Sequence, residues 1–327
     1  MQLTVAFIMD PMEGITVASD TSFAFMLAAH ARGMRVVHVN PSDVTLDGRD
    51  VVLKGRVVEV RDSQSDAYTV LTEERFAARD CAAIFVRTDP PFDEAYLTVT
   101  WILSFAEEQG VRIINSPRGL RTANEHLYSL FFPDLCPETL VTSQRTDVER
   151  FVREVGGVAI AKPIDGHAGF GVVRLTQGDT NFNALVDMLT IEGRQPVMVQ
   201  RYLPEAVQGD RRLVVIDGVL RAGIQRVPAA GDNRANVHVG GEVSAIELSA
   251  ADRQVAEAMG DRLRADGLYF VGLDVIGDKL IEVNVTSPTL LREIRRLGGP
   301  DLADEVIADV QLRAGTAGEG PSASVAH

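Results

Sequence analysis

The residues best suited to chemistry fall in one short stretch, "GLDVIGDKLIEVNVTSPT", from Gly272 to Thr289. Alternate side chains of a strand share a face, so Glu282 and Asn284 point one way while Ile281, Val283 and Val285 point the other. Two hard oxygen ligands therefore stand side by side. The register across Gly277-Asp278 decides whether Asp274 joins them. A two-residue hairpin turn pairs Ile276 with Lys279 and leaves Asp274 on the opposite face, whereas a three-residue turn or a bulge pairs Asp274 with Glu282. Three oxygens beside phosphate-binding cations suit one or two Mg²⁺ ions, with Mn²⁺ as a substitute, because Mg²⁺ keeps several waters and binds through one or two carboxylates plus substrate phosphate. The apolar neighbours argue for a buried face, where an unpaired acid is costly.

The cations that such a site needs lie upstream. In "GGVAIAKPIDGHAGFGVVRL" an apolar strand ends at Lys162 and is followed by Gly166, Gly169 and Gly171 before a second strand. This is not the strand-to-helix setting of the dinucleotide fingerprint or the P-loop. It reads as a flexible hairpin whose backbone N–H groups could lie over phosphates, with Lys162 meeting them as a point charge. Further on, "GDRRLVVIDGVLRAGIQRVP" makes two strands joined at Asp217-Gly218 and punctuated by Arg212, Arg221 and Arg226. Arg221 best suits a solvated edge. The glycine-flanked "AAGDNRANVHVGG" carries Arg234 and Asn236 and has the length of a lid or binding loop.

Positioning these groups requires an α/β scaffold. "LTVAFIMD", a helix opened by Ser19 to Ser22 and closed near Gly33, and "MRVVHVN" form a β-α-β unit, which recurs as "CAAIFVR", a helix over 94–108 and "VRIINS". The first third is thus predicted to be a small open parallel sheet. Ligands favour the carboxyl ends of such strands. Asp10, Arg87 and Asp89 lie there, with Asp20 and Ser22 at the following helix start, where they could equally serve only as caps. Downstream the pattern predicts a helix over "LRTANEHLYSLFF", a strand at "PETLVT", helices over 147–155 and 250–267, and a strand at "PVMVQRYLPE".

Composition limits the function. The 327 residues carry a formal charge of -14 and are 46% hydrophobic, which argues against a broad nucleic-acid footprint, so that any anionic ligand must be held by a few local cations. No apolar run is long enough for a bilayer, and "MQLTVAFIMD" lacks a signal peptide's basic start. The expectation is a cytoplasmic protein acting on small molecules, with neither nucleic acid nor membrane as partner. Cys81 and Cys136 fit neither a metal site nor a redox pair and read as inert thiols. The tail "AGTAGEGPSASVAH" has too little apolar content to fold.

At this point a resemblance can be stated. The stretches "IMDP", "DTSFAFMLAAHARG", "RTDPPFD", "NSPRGLRTANEHL", "PETLVT", "KPIDG", "GDRRLVV", Arg234 to Asn236, and "GLDVIGDKLIEVNVTSPT" resemble those of bacterial glutathione synthetases, of the ATP-grasp superfamily, over all but the tail. The resemblance implies an ATP-grasp fold preceded by a Rossmann-like parallel-sheet domain. Its boundaries would be 1–121 for the substrate domain and 122–313 for the ATP-grasp domain, with a small subdomain at 122–200, a C-terminal subdomain at 201–313 and a disordered tail at 314–327. It implies a dimer or tetramer, and peptide-bond formation driven by ATP through an acyl phosphate. ATP would be held by Lys162, Gly166, Gly169, Gly171, Gln200 and Asp210, with His126 near its phosphates and backbone groups near Tyr202 and Leu203 reading adenine. Arg212, Arg226 and Arg234 would be catalytic. Asp20, Ser22, Arg87, Asp89, Asn236, Thr286 and Ser287 would meet substrate, and Asp274, Glu282 and Asn284 would hold metal.

Three motifs depart from the family pattern. His126 replaces the lysine of its "NEKL" motif, His167 and Ala168 occupy the middle of a loop that usually reads Gly-x-Gly-Gly, and Glu242 reverses the charge of its "GGR". These leave two further readings open: a related ligase using another acid or amine, and a nucleotide-binding regulator without turnover.

Overall fold

The computed structural model describes residues 2–166, 169–227 and 242–317. The chain divides into two compact units, the first comprising Met1–Asp89, Glu94–Arg118 and the chain from Thr286, the second Pro90–Asp93 and Gly119–Val285.

The first unit opens with β1 (Thr4–Ile8), α1 (Thr21–Ala31), β2 (Arg35–Val39), β3 (Val44–Asp47), β4 (Asp50–Val60), β5 (Tyr68–Ala77), β6 (Ala83–Val86), α2 (Glu94–Glu108) and β7 (Ile113–Ile114). Its sheet runs β3-β4-β2-β1-β6-β7, with β5 on the other edge of β4. The predicted parallel core is present, since β1, β2, β6 and β7 pair in parallel. Every residue of β1 and β6 is buried, as expected of strands covered on both faces. Phe7 and Phe85 stack at 5.0 Å between ring centroids beneath Phe25. The predicted small parallel sheet is extended by β3, β4 and β5, which pair antiparallel along residues 44–77.

A short helix, α3 (Pro117–Thr122), leads into the second unit. The helix predicted over Leu120–Phe132 breaks after Thr122 and resumes only as a 3-10 turn at Leu127–Phe131. The cause is Asn124, whose side-chain oxygen accepts from the backbone N–H of both His126 and Leu127 and so competes with helical bonding. The unit continues through β8 (Thr139–Thr142), α4 (Arg145–Glu154), β9 (Val158–Pro163), β10 (Val173–Thr176), α5 (Phe182–Leu189) and β11 (Val197–Arg201). These strands form a sheet in the order β10-β9-β11-β8. One face packs on α4 and α5 through Val148, Val152, Ala159, Ala161, Val186 and Val199.

A second sheet of this unit follows: β12 (Asp210–Ile216), β13 (Val219–Val227), β14 (Glu242–Ala245), then α6 (Ala250–Ala265), β15 (Phe270–Ile276) and β16 (Lys279–Asn284), ordered β14-β13-β12-β15-β16. A reciprocal Ser249–Asp252 capping box starts α6, satisfying two otherwise orphaned backbone donors.

The chain then returns to the first unit as α7 (Leu291–Arg296) and α8 (Leu302–Ala317). Arg32 of α1 pairs with Asp304 at 2.7 Å and Arg112 with Asp309 at 2.5 Å. These contacts tie to the first unit a segment that the sequence boundary at 313 assigned to the second. Residues 314–317, expected in a disordered tail, are helical; 318–327 lie outside the described residues. No described helix is long and apolar enough to cross a membrane. Both cysteines are buried and free, and burial raises the Cys81 thiol to about 12.

Candidate active site

The hairpin of β15 and β16 resolves the register question through both devices. The two-residue turn pairs Ile276 with Lys279, and a bulge between Asp274 and Val275 then brings Asp274 opposite Glu282 and Gly272 opposite Asn284. Ile281 is the residue left unpaired. Its carbonyl accepts a 2.9 Å hydrogen bond from the Lys162 ammonium, so the cation from β9 is joined to the bulge itself. Burial pulls Lys162 below its ordinary pKa, while Glu282 and Asp274 resist the shift.

Sheet pairing aligns a row of side chains, Ile224, Arg212, Asp274 and Glu282, across β13, β12, β15 and β16. Arg226 and Asp210 form the neighbouring cross-strand pair. Arg212 grips Asp274 with Nε on Oδ1 and Nη2 on Oδ2, the latter at 2.9 Å. Arg226 donates to Asp210 at 2.6 and 2.7 Å and also reaches Asp274 Oδ2 at 2.9 Å. Bidentate Arg–carboxylate geometry is the strongest form of such pairing, and all four groups are buried. Burial pushes the Asp274 carboxyl up, but the two guanidiniums more than offset this and hold it well below the usual carboxylate range. Asp210 moves the other way, raised by burial and by Asp274 despite Arg226.

Gly272 has a role that its sequence context did not reveal. A Cβ there would stand 3.0 Å from Arg212 Cδ and 3.2 Å from its Nη1, so the missing side chain is the channel through which Arg212 reaches Asp274. A glycine one alternate position before the acid, facing an arginine, is a recognisable signal only once the strands are paired.

On the Glu282 side, His126 Nδ1 lies 2.9 Å from the Pro163 carbonyl, which can only accept, so that nitrogen carries a proton. The other ring nitrogen, Nε2, stands 3.7 Å from Glu282 Oε2. Burial pushes Glu282 up, and His126 together with Lys162 brings it below its ordinary value. Asn284 donates through its amide nitrogen to Asp274 at 3.3 Å and to the Gly272 carbonyl at 3.4 Å. Its Oδ1 and the Glu282 carboxylate are therefore oxygens suited to a hard cation, whereas both oxygens of Asp274 accept from arginine. Among the described residues no three His, Cys, Asp or Glu side chains gather as a metal cluster. The donor set fits an ion held by few protein oxygens plus phosphate.

The glycine loop keeps its predicted hairpin setting, with β9 and β10 antiparallel. Gly169 and Gly171 have φ of 77° and 75°, and a Cβ on Gly171 would come within 2.7 Å of Pro163, so glycine is required there. His167 and Ala168 lie outside the described residues, as do Arg234, Asn236 and the whole predicted lid. On the face of β9 turned away from α4 and α5, register aligns Arg174, Ile160, Gln200 and Thr139 in one row, and Gln200 donates to Thr139 at 3.1 Å. Tyr202 N–H meets the Val158 carbonyl at 3.4 Å, so Tyr202 and Leu203 leave the sheet at the end of β11. Glu125, beside His126, was not singled out from sequence. It straps β16 by accepting from Val283 N–H through its carbonyl and from Val285 N–H through its carboxylate.

Within the first unit, Arg87 is buried, with Nε on Ser22 Oγ at 3.0 Å and Nη2 on the Pro288 carbonyl at 2.8 Å. Ser287 donates to the Arg87 carbonyl at 3.5 Å, and Thr286 is buried in the same segment. Asp20 caps α1 at Phe23 N–H with a 2.6 Å bond. Burial raises its pKa, with Arg87 opposing and Asp89 adding to the shift. Asp89 is exposed, and its backbone N–H donates to Asp10. Ser22, Arg87, Thr286 and Ser287 are thus brought together, and the capping reading holds for Asp20 but not for Ser22.

The model of the family described as prokaryotic glutathione synthetase, N-terminal domain, matches residues 3–121, and that of its ATP-grasp domain matches residues 125–299. The chain belongs to the prokaryotic glutathione synthetase family. Among its relatives, the glutathione synthetase of Rhodopseudomonas palustris is 40% identical over 94% of this chain and 97% of its own. That of Synechococcus elongatus is 39% identical over 94% and 98%. Solved structures similar in fold include the D-cycloserine synthetase DcsG, at a TM-score of 0.65 and 15% identity over 95% of this chain and 99% of that one. The ATP-grasp ligase PsnB complexed with minimal precursor matches at 0.63 and 19% identity, over 95% and 100%. The fold is ATP-grasp, with a first unit built on a mixed sheet that has a parallel core.

Proposed function

We propose that the protein joins γ-glutamylcysteine to glycine at the expense of ATP, giving glutathione, ADP and phosphate. The observation that carries this reading is the convergence of two buried guanidiniums, Arg212 and Arg226, on Asp274 beside Glu282 and Asn284, in a chain of the glutathione synthetase family.

The dipeptide's cysteinyl carboxylate attacks the γ-phosphorus of ATP, forming an acyl phosphate as the bond to ADP breaks. Glycine's amine adds to the acyl carbon, loses a proton, and phosphate departs. This chemistry depends on positioning and charge neutralisation rather than a covalent protein nucleophile. Lys162 and the Gly166–Gly171 loop take the phosphate charge, the segment at Gln200, Tyr202 and Leu203 takes the base, and Arg212 and Arg226 stabilise the acyl phosphate and the tetrahedral species. Asp210 is a positioning residue that fixes Arg226. Glu282 and Asn284, with Asp274 in support, would hold one or two Mg²⁺ ions, for which Mn²⁺ can substitute. Bound there, Mg²⁺ supplies neutralisation of phosphate charge. Asp20, Ser22, Arg87, Asp89, Thr286 and Ser287 are assigned to the peptide substrate, and Arg234 and Asn236 keep the catalytic and substrate roles that the family resemblance implies.

Family likeness also supports a homo-oligomer, a dimer or tetramer, which light scattering would resolve. The cytoplasm, where ATP and thiol peptides are made, is the compartment that this reaction calls for. The decisive experiment measures ADP, phosphate and glutathione together from ATP, γ-glutamylcysteine and glycine. ADP formed only with another acid or amine would replace the substrates but keep the ligase.

A further inference from the structure

We infer that Arg174 determines nucleobase binding in this site, acting as a planar lid that Tyr202 holds in place for stacking on the purine. This rests on the ATP reading above and adds a residue that the sequence pattern did not single out.

Arg174 lies on β10 directly opposite Ile160 of β9, and Ile160 lies opposite Gln200 of β11. Directly paired residues share a face, as do residues two apart. Arg174, Ile160, Gln200 and Lys162 therefore stand on one face of this sheet, the face turned away from the core packed on α4 and α5. Tyr202 follows the end of β11, and its N–H reaches the Val158 carbonyl at 3.4 Å, which keeps it beside β9. The Arg174 guanidinium carbon sits 4.8 Å from the Tyr202 ring centroid. Because β9 separates their two strands, this contact bridges over β9.

The position of the bridge matches a nucleotide laid along β9. From Lys162 to Val158 the strand runs about 13 Å, at about 3.3 Å per residue, the separation between the outer phosphates and the base of an extended nucleoside triphosphate. Lys162 marks the phosphate end, and the Arg174–Tyr202 bridge marks the base end. Between them lie Ile160 and its cross-strand neighbour Gln200, with Met198 beside Lys162. A guanidinium stacks well on aromatic faces and is weakly hydrated. Already seated on one ring by its partner, Arg174 presents its other face to a second π-system. Its side chain is solvent-exposed, so replacing it disturbs no buried packing.

The test compares ATP with inorganic tripolyphosphate, each titrated calorimetrically into wild type, Arg174→Met and Arg174→Lys. The inference predicts ATP binding weakened about tenfold in both variants, with tripolyphosphate affinity unchanged and thermal melting unaltered. Lysine fails to rescue because its charge is not planar. Equal weakening of ATP and tripolyphosphate, or full rescue by lysine, would overturn it by making Arg174 a phosphate contact. Unchanged ATP affinity in Arg174→Met would overturn it by reducing the bridge to surface stacking. Failure of the underlying reading is distinct, since wild type itself would then bind no ATP.

Discussion

Asp274 and Glu282 stand opposite each other across β15 and β16 only because Ile281 is bulged out of the ladder, and the Ile281 carbonyl is the acceptor for Lys162. One irregularity thus sets the two acids on one face and anchors the Lys162 ammonium. Without the bulge the hairpin's own turn would send Asp274 to the other side of the sheet.

Metal binding is the first consequence. Glu282→Gln and Asn284→Ala should each lower turnover by at least about 100-fold, since on the proposed assignment each removes an oxygen from the ion that would offset phosphate charge. Mn²⁺ affinity, read by electron paramagnetic resonance without nucleotide, should fall in parallel while melting temperatures change little. Near wild-type turnover in both variants would remove these residues from the mechanism.

Gly272→Ala tests how Arg212 is positioned. The added methyl group meets Arg212 Cδ at 3.0 Å, displacing the guanidinium from Asp274. Losing one preorganised donor to developing negative charge costs about 100- to 1,000-fold in kcat. We expect a loss of that order with KM for ATP nearly unchanged. An unchanged kcat would show that Arg212 is only structural.

The Arg226–Asp210 pair makes a stability prediction. Asp210→Ala leaves Arg226 with Asp274 as its remaining partner in a buried setting, and breaking a buried pair from one side costs about 3 to 5 kcal/mol. Urea unfolding followed by near-UV dichroism should show a loss near the lower end, because Asp274 still compensates part of the charge. A loss below about 1 kcal/mol, the range of exposed pairs, would mean that the pair is solvated.

His38 supplies a pH dependence. It is fully buried on β2, with Nε2 3.1 Å from the Asp10 carbonyl and Nδ1 3.2 Å from Arg56. Burial lowers its pKa, Asp10 partly restores it, and Arg56 lowers it further. The folded state therefore binds this proton less readily than the unfolded chain, whose histidine has an ordinary value of about 6.5. His38 thus contributes stability that is fully present above pH 6.5 and is lost as pH falls from there through the lowered folded value. Melting temperature should decline between pH 7 and pH 5, and His38→Gln should flatten that decline. A slope identical to wild type would assign the pH dependence to other groups.

Much of this arrangement was legible from sequence, and the gaps have physical causes. β1 and β6 were readable because parallel strands covered on both faces are continuous apolar runs. β5 is hard to read because it is largely exposed and carries no alternating apolar face, whereas β4 alternates in burial and offered a signal. The oxygens of Glu282 and Asn284 followed from strand periodicity alone, whereas the place of Asp274 depended on a bulge that a local turn does not dictate. Arg212 and Arg226 were visible as cations at strand positions. Their carboxylate partners were not, because Asp210 and Asp274 become neighbours only through the order β13-β12-β15. The break at Asn124 shows the reverse case, a single side chain overriding a helical pattern.

The most direct measurement of the central claim is a mass-balanced assay of the purified protein with ATP, Mg²⁺, γ-glutamylcysteine and glycine. Glutathione, ADP and phosphate should form in equal amounts, with no ADP released when γ-glutamylcysteine is omitted. Tight binding of ATP with no glutathione formed would contradict it.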